Sequence, residues 1–245
     1  MKRIIVIQAR MTSSRLPGKV LRELGGRPML AQQIRRLKAC ASVDDIVLAT
    51  TTNADDDPVV ALARDEQVRW FRGSEHDVLA RVVGAVTEAN ADVLVRVTAD
   101  CPLIDPGTVD RTIDTLVANA AACDYASNVQ KRTFPRGLDS EALFRDTLAR
   151  MDRMGQSQSA REHVTVFLRS ERPELFATLD VVDEDDNSDL RWTVDTAADL
   201  EMIRAIYAGL GLDQRVVTYR EILEYIRSQP QIAAMNAHVE TWNPK

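Results

Sequence analysis

The stretch Gln8-Ala9-Arg10-Met11-Thr12-Ser13-Ser14-Arg15-Leu16-Pro17-Gly18-Lys19-Val20 concentrates hydrogen-bond donors, with three cations, two serines and a threonine. Such a loop suits a polyanion such as a triphosphate, because charge-assisted bonds to phosphate oxygens are short and strong. A solvated basic loop is the competing reading, since Lys and Arg are mostly surface residues. Two common phosphate loops are excluded. A Walker A loop needs Gly-x-x-x-x-Gly-Lys-Ser/Thr, and here the first glycine is missing and Val20 follows the lysine. The stretch is not Gly-x-Gly-x-x-Gly either, which removes the main support for a nicotinamide cofactor.

Two carboxylates stand out at the ends of apolar runs. Asp100 follows Val93-Leu94-Val95-Arg96-Val97-Thr98-Ala99, and Asp195 follows Leu190-Arg191-Trp192-Thr193-Val194. A divalent metal that holds a triphosphate needs one or two protein carboxylates, with water and phosphate oxygens completing its shell. An Asx-turn at Asp100 and a helix cap at or beside Thr196 are the structural alternatives. Asp77 and Arg81 are four apart and share a helix face, where a surface ion pair would be worth only a few tenths of a kcal/mol. Arg136 and Asp139, with Arg161 and His163, could read an acidic small molecule. Arginine grips carboxylates bidentately, and histidine can orient a hydroxyl. Cys101 lies beside Asp100 with no evident histidine partner and reads as small and buried, not nucleophilic.

The elements that must position these residues alternate. Ile4–Ile7, Asp45–Thr50, Arg69–Phe71 and Val93–Val97 read as strands. Helices should follow each, starting near Pro28, Asp57-Pro58, Asp77 and Asp105-Pro106. Alternation of this kind predicts a parallel sheet with right-handed connections. In a doubly wound sheet of order 3-2-1-4, strands one and four are neighbours where the order reverses, and ligands bind at the carboxyl ends there. That rule brings the Arg10–Lys19 loop and the Thr98–Asp105 loop together.

Alternation breaks at residues 125–180, which read as an elaboration with a strand near Tyr125–Asn128, a loop through Thr133–Glu141, helices near Leu143–Met151 and Ser159–Arg169, and a strand at Phe176–Val181. Leu190–Val194 reads as a further strand. Thr196-x-x-Asp199 and Thr218-x-x-Glu221 read as helix-opening caps. Met235, Val239 and Trp242 predict a tail that docks.

The 245 residues, 45% apolar and 28% charged, describe a globular chain of one domain, 1–245, with the 125–180 elaboration inside it. A net charge of −6 argues against nucleic acid as a partner. Three cysteines without metal or disulfide spacing suit a reducing compartment, so a cytoplasmic chain is expected. A strand entered near Ile4 with no signal-like apolar region before it makes an export signal unexpected, and no apolar run is long enough to span a bilayer.

Ala9-Arg10, Ser14-Arg15-Leu16-Pro17-Gly18-Lys19 and Leu21 resemble the signature loop of the sugar-acid cytidylyltransferases, the family of the CMP-acylneuraminate and CMP-Kdo synthetases. Gln8-Ala9-Arg10-Met11 looks closest to its spore-coat-polysaccharide-like branch, although many members carry proline where Gln8 stands. The likeness covers roughly residues 1–228. It implies a Rossmann-like, doubly wound, mostly parallel α/β sheet of the nucleotide-diphospho-sugar transferase (GT-A-like) kind. It implies a magnesium-dependent transfer of CMP from CTP to a hydroxyl of an acidic sugar, with release of pyrophosphate, in surface polysaccharide biosynthesis. It also implies roles. Asp100 and Asp195 would hold magnesium. Lys19 and Arg10 would face the α-phosphate, and Arg15, Ser13 and Ser14 the β,γ end, with Ala9 in the same loop. Gly73, Asp77 and Arg81 would lie beside the nucleotide, and Arg136, Asp139, Arg161 and His163 beside the sugar. A homodimer through residues 125–180 is expected. Rival readings are CMP transfer to a phosphonate, a GT-A-like glycosyltransferase using Asp183-Glu184-Asp185 as its Asp-x-Asp, and a non-catalytic nucleotide-binding protein.

Overall fold

Ile4-Ile5-Val6-Ile7 form the buried centre of β1 (Arg3–Gln8), which occupies the middle of the sheet. The computed structural model describes residues 1–240; Trp242 lies outside the described residues. After the phosphate-loop candidate comes a small hairpin, β2 (Glu23–Leu24) and β3 (Arg27–Pro28), turning at Gly25-Gly26. Then follow α1 (Met29–Leu37), β4 (Asp45–Thr51), α2 (Asp57–Asp65), β5 (Arg69–Gly73), α3 (Val78–Ala89), β6 (Val93–Thr98) and α4 (Pro106–Ala118). The middle segment supplies β7 (Tyr125–Ser127), β8 (Glu141–Phe144), α5 (Arg145–Met154), α6 (Gln158–His163) and β9 (Thr178–Asp180). The chain continues through α7 (Ala197–Leu210), α8 (Tyr219–Ser228) and α9 (Pro230–Ala234).

The main sheet runs β5-β4-β1-β6-β8-β7-β9. Its first four strands are parallel and stand in the expected 3-2-1-4 order; β8 is antiparallel to both β6 and β7. Gln8 pairs with Thr98, so the loops after β1 and β6 leave the sheet side by side. The period of two divides the core. Ile5, Ile7, Val95 and Val97 pack against α1, α2 and α4 on one face, and Ile4, Val6 and Val47 pack with residues of α3 and α5 on the other. A third cluster, around Trp192, Ile203, Ile206, Tyr207 and Ile222, fastens α7 and α8 to the segment that carries Asp195. No helix among the described residues is long and apolar enough to cross a membrane.

Three expectations need correction. Leu190–Val194 is extended but makes a single bridge, Arg191 with Arg136, because its neighbour is the irregular 133–140 loop, which offers only one pairing register. The helix expected from Leu143 starts at Arg145, since Glu141–Phe144 are drawn into β8 by β6 and β7. The helix expected through Arg169 stops at His163; Val164 takes a φ of 53°, a costly conformation for a β-branched residue, before a π-helical turn at Phe167–Glu171. That kink carries Thr165 inward, where its hydroxyl reaches Glu141 at 2.7 Å.

Gly137 explains how the 133–140 loop passes so close to Arg191–Thr193. Its φ is 113°, and a Cβ there would lie 2.6 Å from both the Trp192 carbonyl carbon and the Thr193 nitrogen. Gly137→Ala is therefore expected to cost about 1–3 kcal/mol of unfolding free energy, the scale of an imposed backbone strain. A urea melt with an unchanged midpoint would contradict this.

Candidate active site

The loop after β1 is tied down before it meets any ligand. Ser13 and Gly18 both donate their N–H to the Met11 carbonyl at 3.0 Å, and Gly18 adopts a left-handed φ of 67° that leads into the 3-10 turn Lys19–Leu21. The Met11 N–H donates to Asp56 at 2.6 Å. Glu75 accepts from the Thr12 hydroxyl at 2.7 Å and from Asn53 at 2.6 Å, and Arg10 lies 3.6 Å from it. Those two hydrogen bonds hold the Glu75 carboxyl below its ordinary range.

The turn at Lys19 delivers its ammonium to the point where three elements converge. Nζ donates to Asp100 at 3.1 Å, to Asp195 at 2.9 Å and to the Val194 carbonyl at 2.8 Å. Asp100 and Asp195, 95 positions apart in sequence, thus aim at one nitrogen. Val194 is held there by its N–H, which donates to the Asp100 carbonyl at 2.8 Å. Arg15 lies 3.1 Å from Asp195, and Arg191 bridges Asp195 at 2.7 Å and Asp199 at 3.0 Å. Charge balances within the group, with Lys19, Arg15 and Arg191 against Asp100, Asp195 and Asp199. Burial pulls the Lys19 ammonium toward neutrality, but the two carboxylates outweigh it and its pKa lies above the ordinary lysine value. Burial pushes the Asp100 carboxyl up, and Lys19 together with the Thr98 hydroxyl, 2.6 Å away, brings it below the usual range. The helix-cap alternative for Asp195 falls away: the cap of α7 is Thr196, in a reciprocal box with Asp199.

The donor set fits a hard cation. Two carboxylates aimed at one positively occupied point are what magnesium takes from a protein when phosphates supply the rest. Among the described residues no cluster of three His, Cys, Asp or Glu could hold a metal without such help.

Two clefts meet at this group. One, of about 380 Å³, is lined by Gln8 to Arg10, Ser13 to Arg15, Lys19 and Arg81. The other, of about 640 Å³, holds Arg96, Arg132, Arg136, Arg169 and Arg191, with Asp139 and Glu141. Both are bordered by Arg15, Thr98, Asp100 and Asp195.

Several expected site residues stand elsewhere. Arg161 lines neither cleft: its guanidinium grips Asp77 through two bonds, 2.8 and 2.7 Å, and Asp152 at 2.7 Å. Asp77, besides that pairing, caps α3 by accepting from the Ala80 N–H at 2.9 Å, so it organises the helix and does not pair with Arg81. Arg81 does line the first cleft, with Nη1 donating to the Ser74 carbonyl at 2.7 Å, and burial brings its pKa down to about 10. Gly73 is absent from the cleft wall; it makes room for Arg81, whose Cγ would lie 3.0 Å from a Cβ there. His163 lines the first cleft and not the arginine-rich one. Arg136 and Asp139 do line that cavity, but Asp139 is bound bidentately by Arg132 at 2.6 and 2.8 Å. Asp183 is claimed by Arg220, and Asp183 to Asp185 line neither cleft, so the Asp-x-Asp of a glycosyltransferase has no site here. Cys101 is buried, and burial lifts its thiol well above the usual range.

Sequence reasoning missed Arg96, Arg132, Arg169, Arg191 and Glu141. Arg96 had a visible signal, a charge inside an apolar strand. It donates to Gln8 and to Glu141. Glu141 is buried and also accepts from the Tyr125 hydroxyl at 2.6 Å and from Thr165 at 2.7 Å. Burial pushes its carboxyl up, yet Arg96, Arg169 and these hydroxyls bring it down to about 2. A depressed carboxylate stabilises the fold above its unfolded pKa, and that contribution is lost as pH falls toward the folded value. Glu141→Gln is accordingly expected to flatten the fall in stability between about pH 5 and 2 by about 3 kcal/mol. Acid melts of identical steepness for parent and variant would contradict it.

Residues 4–222 match the model of the cytidylyltransferase family. The spore coat polysaccharide biosynthesis protein SpsF of Bacillus subtilis is 31% identical over 237 residues, covering 94% of this chain and 96% of that protein. A cytidylyltransferase from Leptospira borgpetersenii superposes with a TM-score of 0.91 at 32% identity, covering both chains in full. A CMP:2-keto-3-deoxy-manno-octonic acid synthetase complexed with CTP shares the fold, with a TM-score of 0.65 at 22% identity over 86% of this chain and all of that one. With its doubly wound sheet and a matched span running from β1 into α8, the chain belongs to the cytidylyltransferase family.

Proposed function

We propose that this enzyme transfers CMP from CTP to a hydroxyl of a small acidic sugar of the nonulosonic or ulosonic type, releasing pyrophosphate, in surface polysaccharide biosynthesis. The observation that carries the reading is the Lys19–Asp100–Asp195 group at the junction of two clefts, one rich in loop donors and one rich in arginine. Nucleotidyl transfer needs positioning and charge stabilisation more than covalent help. Arg15, Ser13 and Ser14 hold the β,γ end of the triphosphate, with Arg81 beside the nucleotide. Lys19 and Arg10 face the α-phosphate, where charge builds as the acceptor hydroxyl attacks. Asp100 and Asp195 would hold magnesium, which when bound supplies further neutralisation of phosphate charge. Arg136 faces the acceptor, and Arg132 is aimed by Asp139.

A pyrophosphate-release screen of four nucleoside triphosphates against sialic-type, Kdo-type and phosphonate acceptors tests this. Release with CTP and a sugar acid supports it; release without preference for CTP, or CTP binding with no turnover on any acceptor, goes against it. Arg15→Ala is expected to weaken CTP binding by about 1.5–3 kcal/mol, the scale of a charged hydrogen bond. Calorimetry showing unchanged affinity would take Arg15 out of the triphosphate site. We further propose a cytoplasmic homodimer that uses residues 125–180, where the βα alternation breaks. A monomer by light scattering at micromolar concentration would contradict the assembly.

A further inference from the structure

The arginine-lined cavity is not neutral. Six guanidiniums border it, and they outnumber the carboxylates that face them. Arg96 pairs with Glu141, Arg132 with Asp139, Arg15 with Asp195, and Arg191 with Asp195 and Asp199. Asp100, the remaining carboxylate of the wall, is matched by Lys19. Arg136 has no ion pair, and Arg169 has only a distant share of the Glu141 that Arg96 already holds. The Arg136 side chain has no hydrogen bond or ion pair to any described residue, although Trp192 and Leu190 pin its backbone at 2.6 and 2.9 Å. Arg169 comes no nearer than 3.8 Å to Glu141, and its Nε is buried with no partner. Glu141 has little left to give it: one oxygen already accepts from Tyr125 and Thr165, and the other from Arg96.

Guanidiniums that outnumber the carboxylates at one cavity favour an anion that neutralises the excess. Burial first, and then the neighbouring Arg132, lowers the Arg136 pKa, although Asp139 and Asp195 act the other way. We infer that the acceptor brings two negative charges, received by Arg136 and Arg169, as either one phosphate or phosphonate dianion or two carboxylates. The inference rests on the cytidylyl-transfer reading above. A simple nonulosonic or ulosonic acid carries a single carboxylate, so the inference favours, within the acidic acceptors, one that bears a second anionic group, and it makes Arg169 a binding residue.

The test uses a matched six-carbon series on the full chain: glucose, gluconate, glucarate and glucose 6-phosphate. Each is titrated by calorimetry at pH 8 with CTP saturating and metal chelated, so that binding is read without turnover. Either glucarate or glucose 6-phosphate is expected to bind about tenfold or more tighter than gluconate, and the tighter one names the source of the charge. Arg136→Gln and Arg169→Gln should each reduce that preference to about twofold or less, and the lysine variants should hold an intermediate value. Should a glutamine variant fail to fold, the corresponding lysine variant carries the test. Gluconate binding as tightly as both doubly charged compounds overturns the inference, and so does a full preference surviving in either variant. Failure of CTP itself to bind with magnesium present would strike the underlying function instead, and a CTP titration with magnesium, run before the series, reads that separately.

Discussion

Lys19→Met is expected to lower turnover by about 10²–10³-fold, the loss seen when one preorganised electrostatic donor is removed. Methionine keeps much of the length and bulk of the lysine stem, so the change is chiefly one of charge. The ammonium is the cation shared by Asp100 and Asp195, at 3.1 and 2.9 Å, and its side chain is only 12% exposed. Deleting it does two things. It removes positive charge from the place where the α-phosphate is proposed to rearrange, which affects the transition state more than the ground state. It also leaves Asp100 without a cation, since no other ion pair reaches that carboxylate among the described residues. The Asp100 pKa, held down largely by Lys19 against burial, should therefore rise, and residual activity should fall away at higher pH than in the parent. Steady-state pyrophosphate release across pH, beside CTP titrations, measures both. A variant with intact kcat and weakened CTP binding would make Lys19 a ground-state anchor and would refute its place at the reacting phosphate.

The parts of this site that were legible in the sequence are those set by local patterns. Four apolar runs separated by capped helices dictate a parallel sheet, and chirality then places the loops after β1 and β6 together. The structure adds the pairing of Gln8 with Thr98 that the rule requires. Local capping was equally readable: Asp105 and Asp77 cap α4 and α3, and Thr196 with Asp199 forms the box at α7. What the sequence hid is long-range. Arg161 has the same composition-level appearance as Arg136, yet one is spent on Asp77 and Asp152 while the other faces a cavity unpaired. No spacing rule separates them, because Asp77, at the start of α3, lies 84 positions from Arg161 and Asp152 reaches it only across the turn between α5 and α6. Glu141 was hidden by the strand that carries it. Glu141, Ala142 and Leu143 of β8 pair antiparallel on both sides, and nothing in Glu141-Ala142-Leu143-Phe144 alone favours strand over the helix that follows. The kink at Val164 is a tertiary decision of the same kind. A buried β-branched residue accepts a left-handed φ, and the chain delivers Thr165 to a carboxylate.

Asp100→Asn and Asp195→Asn should each reduce turnover by about two orders of magnitude or more, and by different routes. Both substitutions keep the side-chain shape and open no cavity, so the fold should survive. Each removes a charge from a pair whose oxygens converge on one nitrogen, a geometry that a hard cation with phosphate ligands would share. Asp100 has a single cationic partner and accepts from Thr98 and Cys101, so its replacement acts mostly on the capacity of the site to hold a divalent ion. The expected signature is a magnesium requirement shifted to higher concentration, with stability little changed. Asp195 instead sits among Lys19, Arg15 and Arg191, and the Arg191 side chain is only 10% exposed. Asp195→Asn leaves three cations against Asp100 and Asp199, so it should weaken the fold as well as the reaction. The loss should reach the low end of the 3–5 kcal/mol seen when a buried pair is broken, about 3 kcal/mol at most, because Asp199 still holds Arg191. Magnesium titrations of kcat and urea melts separate the two routes. Parallel behaviour of the variants, with neither changing the magnesium dependence, would mean that these carboxylates serve only to hold Lys19 and the arginines in place.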